Sequence, residues 1–198
     1  GDDIIVVGVA AGVTTTTEID GGLGSDKIQV TADNYASGAV FDDLSGIETI
    51  EVLVSATASD DAKVTLTSTA ADTTAITITA ANLTNSGSVF TLVASDAEVD
   101  GALTVTGSTG ADVITLGDGG GSITGGKGDD ALSGHSGTDT FIFSSSFANN
   151  ATDTITNFTS ATDKINLDAL TTATAVTDVS AGAAKTFTTV ADTVYFYS

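Results

Sequence analysis

The middle of the chain alternates apolar residues with threonine and other small polar residues. The alternating segments are 46–54, 62–68, 74–80, 88–94 and 101–107. A period of two that is rich in valine, isoleucine and threonine is typical of half-buried strands. Helix signals are nearly absent, so the pattern predicts an all-β protein.

A strict nine-residue period replaces this alternation after Gly107. Four consecutive repeats read GSTGADVIT, LGDGGGSIT, GGKGDDALS and GHSGTDTFI, and GGLGSDKIQ at 21–29 is a separate fifth copy. The eighth position of the four repeats is always a large apolar residue: Ile114, Ile123, Leu132 and Phe141. We expect this residue to point inward from a short strand, so that stacked repeats share one apolar core. Two repeats, or 18 residues, would then form one coil.

Inward-facing candidates also occur in the middle segments, before the array begins. They are Val52, Val64, Ile76, Phe90 and Leu103. Their spacing shrinks from about twelve to fourteen residues to nine as the array starts, which indicates one solenoid whose coils change in length. We therefore predict a parallel β-roll or β-solenoid. The alternative for the middle is an antiparallel sandwich with hairpin turns at 85–88 and 100–101.

These changes of pattern divide the chain into four segments. They are N-terminal repeat-like turns at 1–36, a strand-rich solenoid or sandwich segment at 37–106, the nine-residue array at 107–142, and C-terminal cap strands at 143–198. With 198 residues, of which 41% are hydrophobic, the chain is long enough to bury a core in one or two domains.

The turns of the array carry oxygen ligands. Aspartate occupies the sixth position of three repeats, as Asp112, Asp130 and Asp139. Glycines at fixed offsets permit the positive φ angles of tight turns and let carbonyl oxygens converge. Because Ca²⁺ takes six to eight oxygens from carboxylates and carbonyls, one such turn supplies about half a site. Two turns would complete it.

Turns on the same side of a roll are two repeats apart, which decides the pairing of the aspartates. Asp112 and Asp130 are expected to share a complete calcium site. Asp139 instead faces Gly121, so its site is expected to be weaker or to be completed by Asp118. Additional ligands at the coil corners are a hypothesis for four further aspartates, namely Asp42, Asp43, Asp60 and Asp61.

The net charge is strongly negative. Five lysines and no arginine stand against 26 acidic residues, which gives a net charge of −21. Such a chain repels itself without bound cations, and neither nucleic acid nor an anionic membrane surface would attract it. No apolar run approaches the ~18 residues of a membrane helix, so membrane insertion is not expected. The absence of cysteine leaves the redox compartment open.

Catalytic motifs are missing from the sequence. It contains no H-E-x-x-H zinc motif and no G-x-S-x-G nucleophile motif. His135, the sole histidine, has no histidine or cysteine partner nearby in sequence, so we interpret it as an exposed turn residue. The GGKGDD stretch around Lys127 lacks the G-K-[ST] ending of a phosphate-binding loop. We therefore do not expect an enzyme.

The repeats resemble the G-G-x-G-x-D-x-U-x signature of RTX calcium-binding proteins. The copies at 21–29 and 125–133 fit every defined position, and GDDIIV at the start of the chain is similar to the end of another repeat. The stretch 139–170 resembles the cap that closes the calcium-binding roll of secreted RTX proteins, including the C-terminal module of serralysin-type proteases.

This resemblance implies a set of metal-binding positions. The cap aspartates that hold calcium in the family correspond here to Asp153 and Asp163, whereas Asn157 and Asn166 replace further aspartates. The full expected set is Gly1, Asp3, Gly21, Gly22, Gly24, Asp26, Gly107, Gly110, Asp112, Gly119, Gly125, Gly126, Gly128, Asp130, Gly137, Asp139, Asp153 and Asp163. The implied cofactor is Ca²⁺, and no catalytic or organic cofactor site is expected.

Threonine- and alanine-rich strands joined to acidic turns, as in GALTVTGSTGADVITL at 101–116, resemble bacterial surface-layer proteins and large surface adhesins. The resemblance implies a secreted, calcium-dependent structural protein of the cell surface that associates with itself or with other surface components. One alternative is a stalk or secretion-proximal module of an RTX adhesin. Another is the secretion and folding domain of an extracellular enzyme whose catalytic domain lies elsewhere.

The resemblance also implies export through a type I channel that reads an uncleaved C-terminal signal. The last residues, DTVYFYS at 192–198, are compatible with part of such a signal. Because the chain begins with glycine and shows no basic, apolar leader, we expect a processed form or a fragment of a longer protein.

Overall fold

The computed structural model describes residues 1–7, 14–15, 19–32, 38–42, 44–54, 61–67, 75–85, 87–94, 101–143, 152–167, 185–190 and 193–197. Every helix or strand assigned among these residues is a β-strand, which confirms the all-β prediction. None of these segments forms a helix with the length and apolarity that crossing a membrane requires.

The strands are short and follow one another closely. In chain order they are β1 (Ile4–Val7), β2 (Thr14–Thr15), β3 (Ile19–Asp20), β4 (Lys27–Thr31), β5 (Ala39–Phe41), β6 (Leu44–Ser45), β7 (Thr49–Leu53), β8 (Ala62–Leu66), β9 (Ile76–Thr79), β10 (Phe90–Val93), β11 (Leu103–Thr106), β12 (Val113–Thr115), β13 (Gly121–Thr124), β14 (Ala131–Ser133), β15 (Asp139–Ile142), β16 (Thr152–Thr156), β17 (Lys164–Asn166), β18 (Lys185–Val190) and β19 (Thr193–Tyr197). Buried and more exposed residues alternate along β4, β7 and β8, as the period of two predicts.

Successive strands fall alternately into two sheets. Sheet A has the order β1-β4-β7-β9-β11-β13-β15-β17, and sheet B has the order β19-β18-β16-β14-β12-β10-β8-β5-β2, while β3 and β6 form a small third sheet. The pairings among these strands are parallel except those of β18, which lies antiparallel to β16 and β19. A chain that returns repeatedly to the same sheet in the same direction forms a solenoid, so the predicted parallel β-roll is confirmed.

The pairing also gives the length of each coil. In the array, the hydrogen-bonded neighbours Asp112 and Asp130 are 18 residues apart, which confirms two repeats per coil. Before the array, 28 residues separate the bonded neighbours Asp61 and Val89. After it, 23 residues separate Asp130 and Asp153. The prediction of one solenoid with coils of changing length is therefore confirmed.

The antiparallel sandwich considered for the middle of the chain is wrong. β7, β9 and β11 pair in parallel within sheet A, and β8 and β10 pair in parallel within sheet B. The turn at 85–88, in which the N–H of Ser88 donates to the carbonyl of Asn85 (2.9 Å), joins strands of different sheets and is not a hairpin. The predicted hairpin at 100–101 also fails because β10 and β11 lie in different sheets, although position 100 is outside the described residues.

The core is one apolar cluster between the two sheets. The predicted inward residues are all buried, with exposures between 0% and 3%: Val52, Val64, Ile76, Phe90, Leu103, Ile114, Ile123, Leu132 and Phe141. Burying each of the larger side chains contributes about 1.5–3 kcal/mol. Near the cap, the ring of Phe158 packs on that of Phe141 with their centroids 6.1 Å apart. Phe143 is buried too, whereas Phe147 lies outside the described residues.

The division into segments at 1–36, 37–106, 107–142 and 143–198 stays a prediction. Both sheets run through these boundaries. Continuous pairing alone does not decide which coils fold as separate units.

Candidate metal centres

Two lines of equivalent positions run along the roll, at the points where the chain enters each sheet. The sheet A line is Asp3, Asp26, Glu48, Ile76, Leu103, Gly121, Asp139 and Asp163. The sheet B line, as far as the structure describes it, is Ala62, Phe90, Asp112, Asp130 and Asp153. Adjacent members of a line belong to neighbouring coils, because parallel strands stack in register.

Hydrogen bonds connect the carboxylates of the sheet B line. The N–H of Asp112 donates to Oδ1 of Asp130 (2.9 Å), and the N–H of Asp130 donates to Oδ1 of Asp153 (3.0 Å). The N–H of Phe90 in turn donates to Oδ1 of Asp112 (2.8 Å). The backbone of one coil therefore fixes the carboxylate of the next. Asp112 and Asp130 adjoin in space, and Asp153 lies in the same line.

Backbone N–H groups also bind the aspartate of their own turn. In three turns, the N–H of the residue four positions earlier donates to Oδ2 of the aspartate: Ser108 to Asp112 (2.5 Å), His135 to Asp139 (3.0 Å) and Thr159 to Asp163 (2.7 Å). The hydroxyl of Ser108 adds a 2.6 Å bond to Oδ1 of Asp112. The glycine-rich stretch and the aspartate therefore act as one unit, which holds the carboxylate in place.

Six aspartates of the two lines are buried, whereas Asp3 at the start of the sheet A line is exposed. Their exposures lie between 0% and 7% for Asp26, Asp112, Asp130, Asp139, Asp153 and Asp163. In the described part of the chain, Lys27 forms a salt bridge with Glu51 and the imidazole of His135 contacts Asp118, and neither pair includes these six carboxylates. A carboxylate removed from water without a cation costs several kcal/mol, so the protein alone leaves this charge uncompensated.

The same burial shifts the pKa values of these groups upward. Burial raises the pKa of Asp130 to about 8, with further contributions from the neighbouring carboxylates of Asp153 and Asp112. Burial likewise raises the pKa of Asp139 and of Asp153 to about 6, and it raises the pKa of Asp112. Without a cation, these sites therefore favour protons. A divalent cation at the carboxylates reverses this preference because it stabilises their charged form.

Among the residues that the structure describes, three buried carboxylate oxygens lack a hydrogen-bond partner: Oδ2 of Asp26, Oδ2 of Asp130 and Oδ1 of Asp139. Buried polar atoms without a partner are rare in proteins, and such an oxygen is suited to bind a water molecule or an ion. In the described ranges, no three histidine, cysteine, aspartate or glutamate side chains converge into one metal cluster. Backbone carbonyls would therefore supply many of the ligands, as is common for calcium.

Glycine lets these carbonyls approach the carboxylates. A Cβ at Gly107 would collide with the carbonyl oxygen of Gly125 in the next coil and with Oδ2 of Asp112. A Cβ at Gly125 would collide with Oδ2 of Asp130. Two consecutive coils thus bring carbonyl and carboxylate oxygens together. The residues present fit a calcium ion between the turns of Asp112 and Asp130.

The remaining glycines of the array form the turns. Gly126, Gly128 and Gly137 have φ angles of 115°, 104° and 93°, which side chains with a Cβ rarely adopt. Gly110 packs against a carbonyl oxygen of the preceding coil and leaves no room for a Cβ. Gly119 lies in the turn between β12 and β13.

Asp139 has different surroundings from Asp130. It lies beside Gly121, and its N–H donates to Oδ1 of Asp163 (3.1 Å). Asp118, expected as a substitute ligand, has its Oδ1 2.6 Å from Nδ1 of His135. His135 lies in the turn between β14 and β15 as predicted, but its side chain is only 29% exposed and pairs with Asp118, so the prediction that it is exposed is wrong.

Asn157 lies in a turn at a position where the resemblance to the RTX cap predicts an aspartate. Its φ of 54° is left-handed, a conformation that asparagine tolerates better than most residues. Its Nδ2 donates to Oγ of Ser133 (3.0 Å), and its carbonyl oxygen lies 3.1 Å from where a Cβ of Gly134 would stand. Asn157 therefore keeps the turn and presents a carbonyl, but it contributes no charge.

The separate repeat at 21–29 stacks on the start of the chain. The N–H of Asp3 donates to Oδ1 of Asp26 (2.7 Å), and the amino group of Gly1 donates to a carbonyl of the repeat's turn (2.7 Å). In that turn, Gly22 and Gly24 have φ angles of 83° and 146°, and Gly21 has no room for a Cβ. Residues 1–3 thus occupy the place expected for the end of another repeat.

Glu48 is a candidate residue that the sequence reasoning missed. The N–H of Asp26 donates to its Oε2 (2.6 Å), so Glu48 follows Asp26 in the sheet A line. Glutamate lies outside the nine-residue signature. Aligning the parallel coils at 27–31 and 49–53 residue by residue would have placed Glu48 beside Asp26.

The corner aspartates of the middle coils have hydrogen-bond partners. Oδ1 of Asp42 accepts a bond from the hydroxyl of Thr67 (3.0 Å), and Oδ1 of Asp61 accepts one from the N–H of Val89 (2.9 Å). Asp43 and Asp60 lie outside the described residues. The hypothesis of calcium ligands at these corners stays open.

Comparison with known proteins adds one finding to this geometry. A family model described as Peptidase M10 serralysin C terminal matches residues 5–196. The match therefore covers nearly the whole chain of 198 residues, including the middle coils that contain no nine-residue repeat. No curated protein and no solved structure gives a significant match.

Proposed function

The chain belongs to the Peptidase M10 serralysin C terminal family, and from this premise we propose that it is a calcium-binding roll that folds after secretion. The family is the non-catalytic, β-roll type module of secreted proteins, associated with RTX repeats and export. An extracellular location follows from membership. The calcium sites of this particular chain and its role at the cell surface belong to the proposal.

The main support for the proposal is the uncompensated negative charge of the buried carboxylates in the two lines. Oδ2 of Asp130 is buried, lacks a hydrogen-bond partner and adjoins Gly125, whose own carbonyl lies against Gly107 and Asp112. Bound Ca²⁺ would supply positive charge and accept these oxygens as ligands. The turns of Asp112 and Asp130 would hold one ion, and those of Asp139 and Asp163 would hold another.

Folding of this chain would then depend on where it meets calcium. With a net charge of −21, the calcium-free chain repels itself and its acidic turns resist burial. An extended chain suits export through a channel. Outside the cell, binding free energy becomes folding free energy, because the site forms only when its coils stack.

For the mature protein we propose a structural role at the cell surface, like that of surface-layer proteins. Sheets A and B are long stacks of parallel strands whose outward positions are largely threonine and other small polar residues. Divalent ions could bridge carboxylates of neighbouring copies once the repulsion between them is reduced. Calcium-dependent self-association is part of this proposal, and an adhesin stalk remains the alternative with the same architecture.

The second candidate is the secretion and folding domain of an extracellular enzyme. The family description favours it, because it names the C-terminal part of a peptidase. In that case the roll would fold in calcium without assembling. Its role would be to carry a catalytic domain that lies in another part of a longer chain.

Calcium titration tests both candidates. We expect circular dichroism of the chelated protein to show loss of β-structure that calcium restores and magnesium does not. Light scattering and electron microscopy of the calcium-loaded protein then separate the roles, since ordered assemblies support the surface-layer role and a monomer at high concentration supports the adhesin stalk or the enzyme module. A spectrum unchanged by excess chelator would reject calcium-coupled folding.

A further inference from the structure

We infer that the turn at 45–48 completes a separate calcium site, in which Glu48 takes the place of a repeat aspartate. This inference rests on the proposed calcium-binding function. The repeat at 21–29 supplies one glycine-rich turn, but the neighbouring coil at 44–53 contains no copy of the signature. A calcium ion held between coils needs oxygens from both. The structure identifies what the second coil offers.

Glu48 has the same backbone relation to Asp26 that Asp130 has to Asp112. The N–H of Asp26 donates to Oε2 of Glu48 (2.6 Å), and the N–H of Asp112 donates to Oδ1 of Asp130 (2.9 Å). Both acceptors lie one coil further along the roll. The longer glutamate side chain therefore brings a carboxylate to the line position that an aspartate occupies in the array.

The backbone carbonyl oxygens of the two pairs of coils also occupy equivalent positions. A Cβ at Gly21 would collide with the carbonyl oxygen of Gly46 and would lie 2.9 Å from Oδ2 of Asp26. A Cβ at Gly107 would meet the same two groups of its own coil pair, namely the carbonyl oxygen of Gly125 and Oδ2 of Asp112. The left-handed φ of Gly46, 58°, gives the turn at 45–48 its shape.

Asp26 indicates that a ligand belongs at this place. It is 1% exposed, its Oδ1 is used by Asp3, and its Oδ2 has no hydrogen-bond partner. Lys27, the adjacent cation, is bound to Glu51 instead, at 3.1 Å. A buried carboxylate oxygen beside a backbone carbonyl and near a second carboxylate suits a hard cation. Asp20, whose Oδ1 accepts the N–H of Gly22 (2.9 Å), adds negative charge at the rim.

The test compares Glu48→Gln with Glu51→Gln in the full chain. Glutamine at 48 can still accept the N–H of Asp26, so the variant removes the charge and preserves that bond. Glu51 lies on the same strand, and its carboxylate binds Lys27 and Gln29 rather than Asp26. Calcium stoichiometry and affinity are measured by titration calorimetry, and circular dichroism records the fold with and without calcium.

We expect Glu48→Gln to weaken one calcium site by about tenfold or more, or to remove it, because ligand charge sets calcium affinity. Glu51→Gln should bind like the unmodified chain. Asp26→Asn should lose the same site, and the double variant Asp26→Asn/Glu48→Gln should lose no additional site. An unchanged titration of Glu48→Gln, or the loss of two distinct sites in the double variant, would overturn the inference.

A variant of the array, Asp130→Asn, is the reference that distinguishes failure of this inference from failure of the proposed function. If Asp130→Asn lowers calcium binding and Glu48→Gln does not, the function stands and only the site at Glu48 is rejected. If the unmodified chain binds no calcium, both are rejected. If Glu48→Gln does not fold in calcium, the site at Glu48 is judged by Asp26→Asn, which must lose one site for the inference to stand.

Discussion

The sheet A line is acidic at its two ends and apolar in its middle. Asp26 and Glu48 occupy one end and Asp139 and Asp163 the other, whereas Ile76 and Leu103 occupy equivalent positions between them. The sheet B line changes in the same way, from Ala62 and Phe90 to Asp112, Asp130 and Asp153. One backbone architecture therefore accepts either a carboxylate or an apolar side chain at the same place.

This difference shows that the coils are stabilised by different means. Ile76, Leu103 and Phe90 are at most 3% exposed and extend the apolar core at these positions of the lines. Asp112, Asp130 and Asp139 are as deeply buried but carry charge. The middle coils also have more residues per turn of the solenoid, 28 against 18. The short coils with glycine turns contain the buried carboxylates for which we propose a bound cation.

Chelation should produce the largest separation of the two regions. We expect removal of calcium at neutral pH to unfold the array at 107–142, while amides at 62–66 and 90–93 keep slow exchange. The reason is that the array loses the proposed ligands of its buried charges, whereas Ala62 and Phe90 occupy the equivalent positions in the middle coils. Hydrogen exchange measured by mass spectrometry resolves the segments. Magnesium added to the chelated protein controls for charge screening.

Equal loss of protection in both regions would contradict this division. It would mean that the coils unfold as one cooperative unit, as tightly coupled solenoid repeats do. The two regions would then differ in where calcium binds but not in their stability without calcium.

Substitution of a buried apolar residue in the array should destabilise the fold as much as such a substitution in the middle coils. Leu132 is 1% exposed between the sheets, so Leu132→Asp places a charge in the core and should cost several kcal/mol or abolish folding. Val113→Asp is the matched control, because Val113 lies on the neighbouring strand and is 44% exposed. Calcium-loaded urea unfolding measures both. A Leu132→Asp variant as stable as Val113→Asp would show that the eighth position does not depend on burial.

The fold was predictable because its periodicities are local. Alternation over segments such as 74–80 gives strands, and the nine-residue period fixes the inward residue and the coil length. The choice between solenoid and sandwich in the middle was harder. Strands of either architecture alternate in the same way, and only the pairing of distant strands, such as β7 with β9, decides it.

The candidate sites were predictable only where the signature occurs. Asp112, Asp130 and Asp139 follow from the repeat, whereas Glu48 depends on the alignment of coils whose lengths differ. The contact of His135 with Asp118 depends on the stacking of two turns 17 residues apart. A one-residue change in a loop length alters such contacts without altering the local pattern.

Acid should partly replace calcium in the acidic region. The folded pKa of Asp139 and Asp153 is about 6 and that of Asp130 about 8, above the ~4 of an unfolded aspartate. Folding therefore takes up protons, and the resulting stability is complete below pH ~4 and is lost as pH rises through 6 and 8. We expect the calcium-free array to be more structured at pH 5 than at pH 8. Calcium affinity should rise over the same interval.

Circular dichroism of the chelated protein between pH 5 and pH 8.5 provides the measurement. Asp130→Asn should flatten the upper part of the profile, because the pKa of Asp130 is higher than those of Asp139 and Asp153. More structure at pH 8 than at pH 5 without calcium would contradict the assignment of these buried carboxylates as the limiting charge.

Within the acidic region, a smaller difference is expected between Asp130 and Asp139. Asp130 has a carboxylate in both neighbouring coils, Asp112 and Asp153, whereas Asp139 has Gly121 on one side. Asp130→Ala removes charge that two adjacent turns can use, so it should weaken calcium binding about tenfold more than Asp139→Ala. Calorimetric titration compares them, with the exposed neighbour Asp129→Ala as control.

Equal losses of calcium affinity in the two variants would mean that the affinity does not depend on the position of the aspartate along its line. Each aspartate would then serve a site formed by its own turn, and the hydrogen bonds between coils would position the carboxylates without sharing them. A larger loss at Asp130 would instead assign the ligands to pairs of coils. In that case the glycine at 121 accounts for the weaker site, because the absent carboxylate is the one that the next coil would have shared with Asp139.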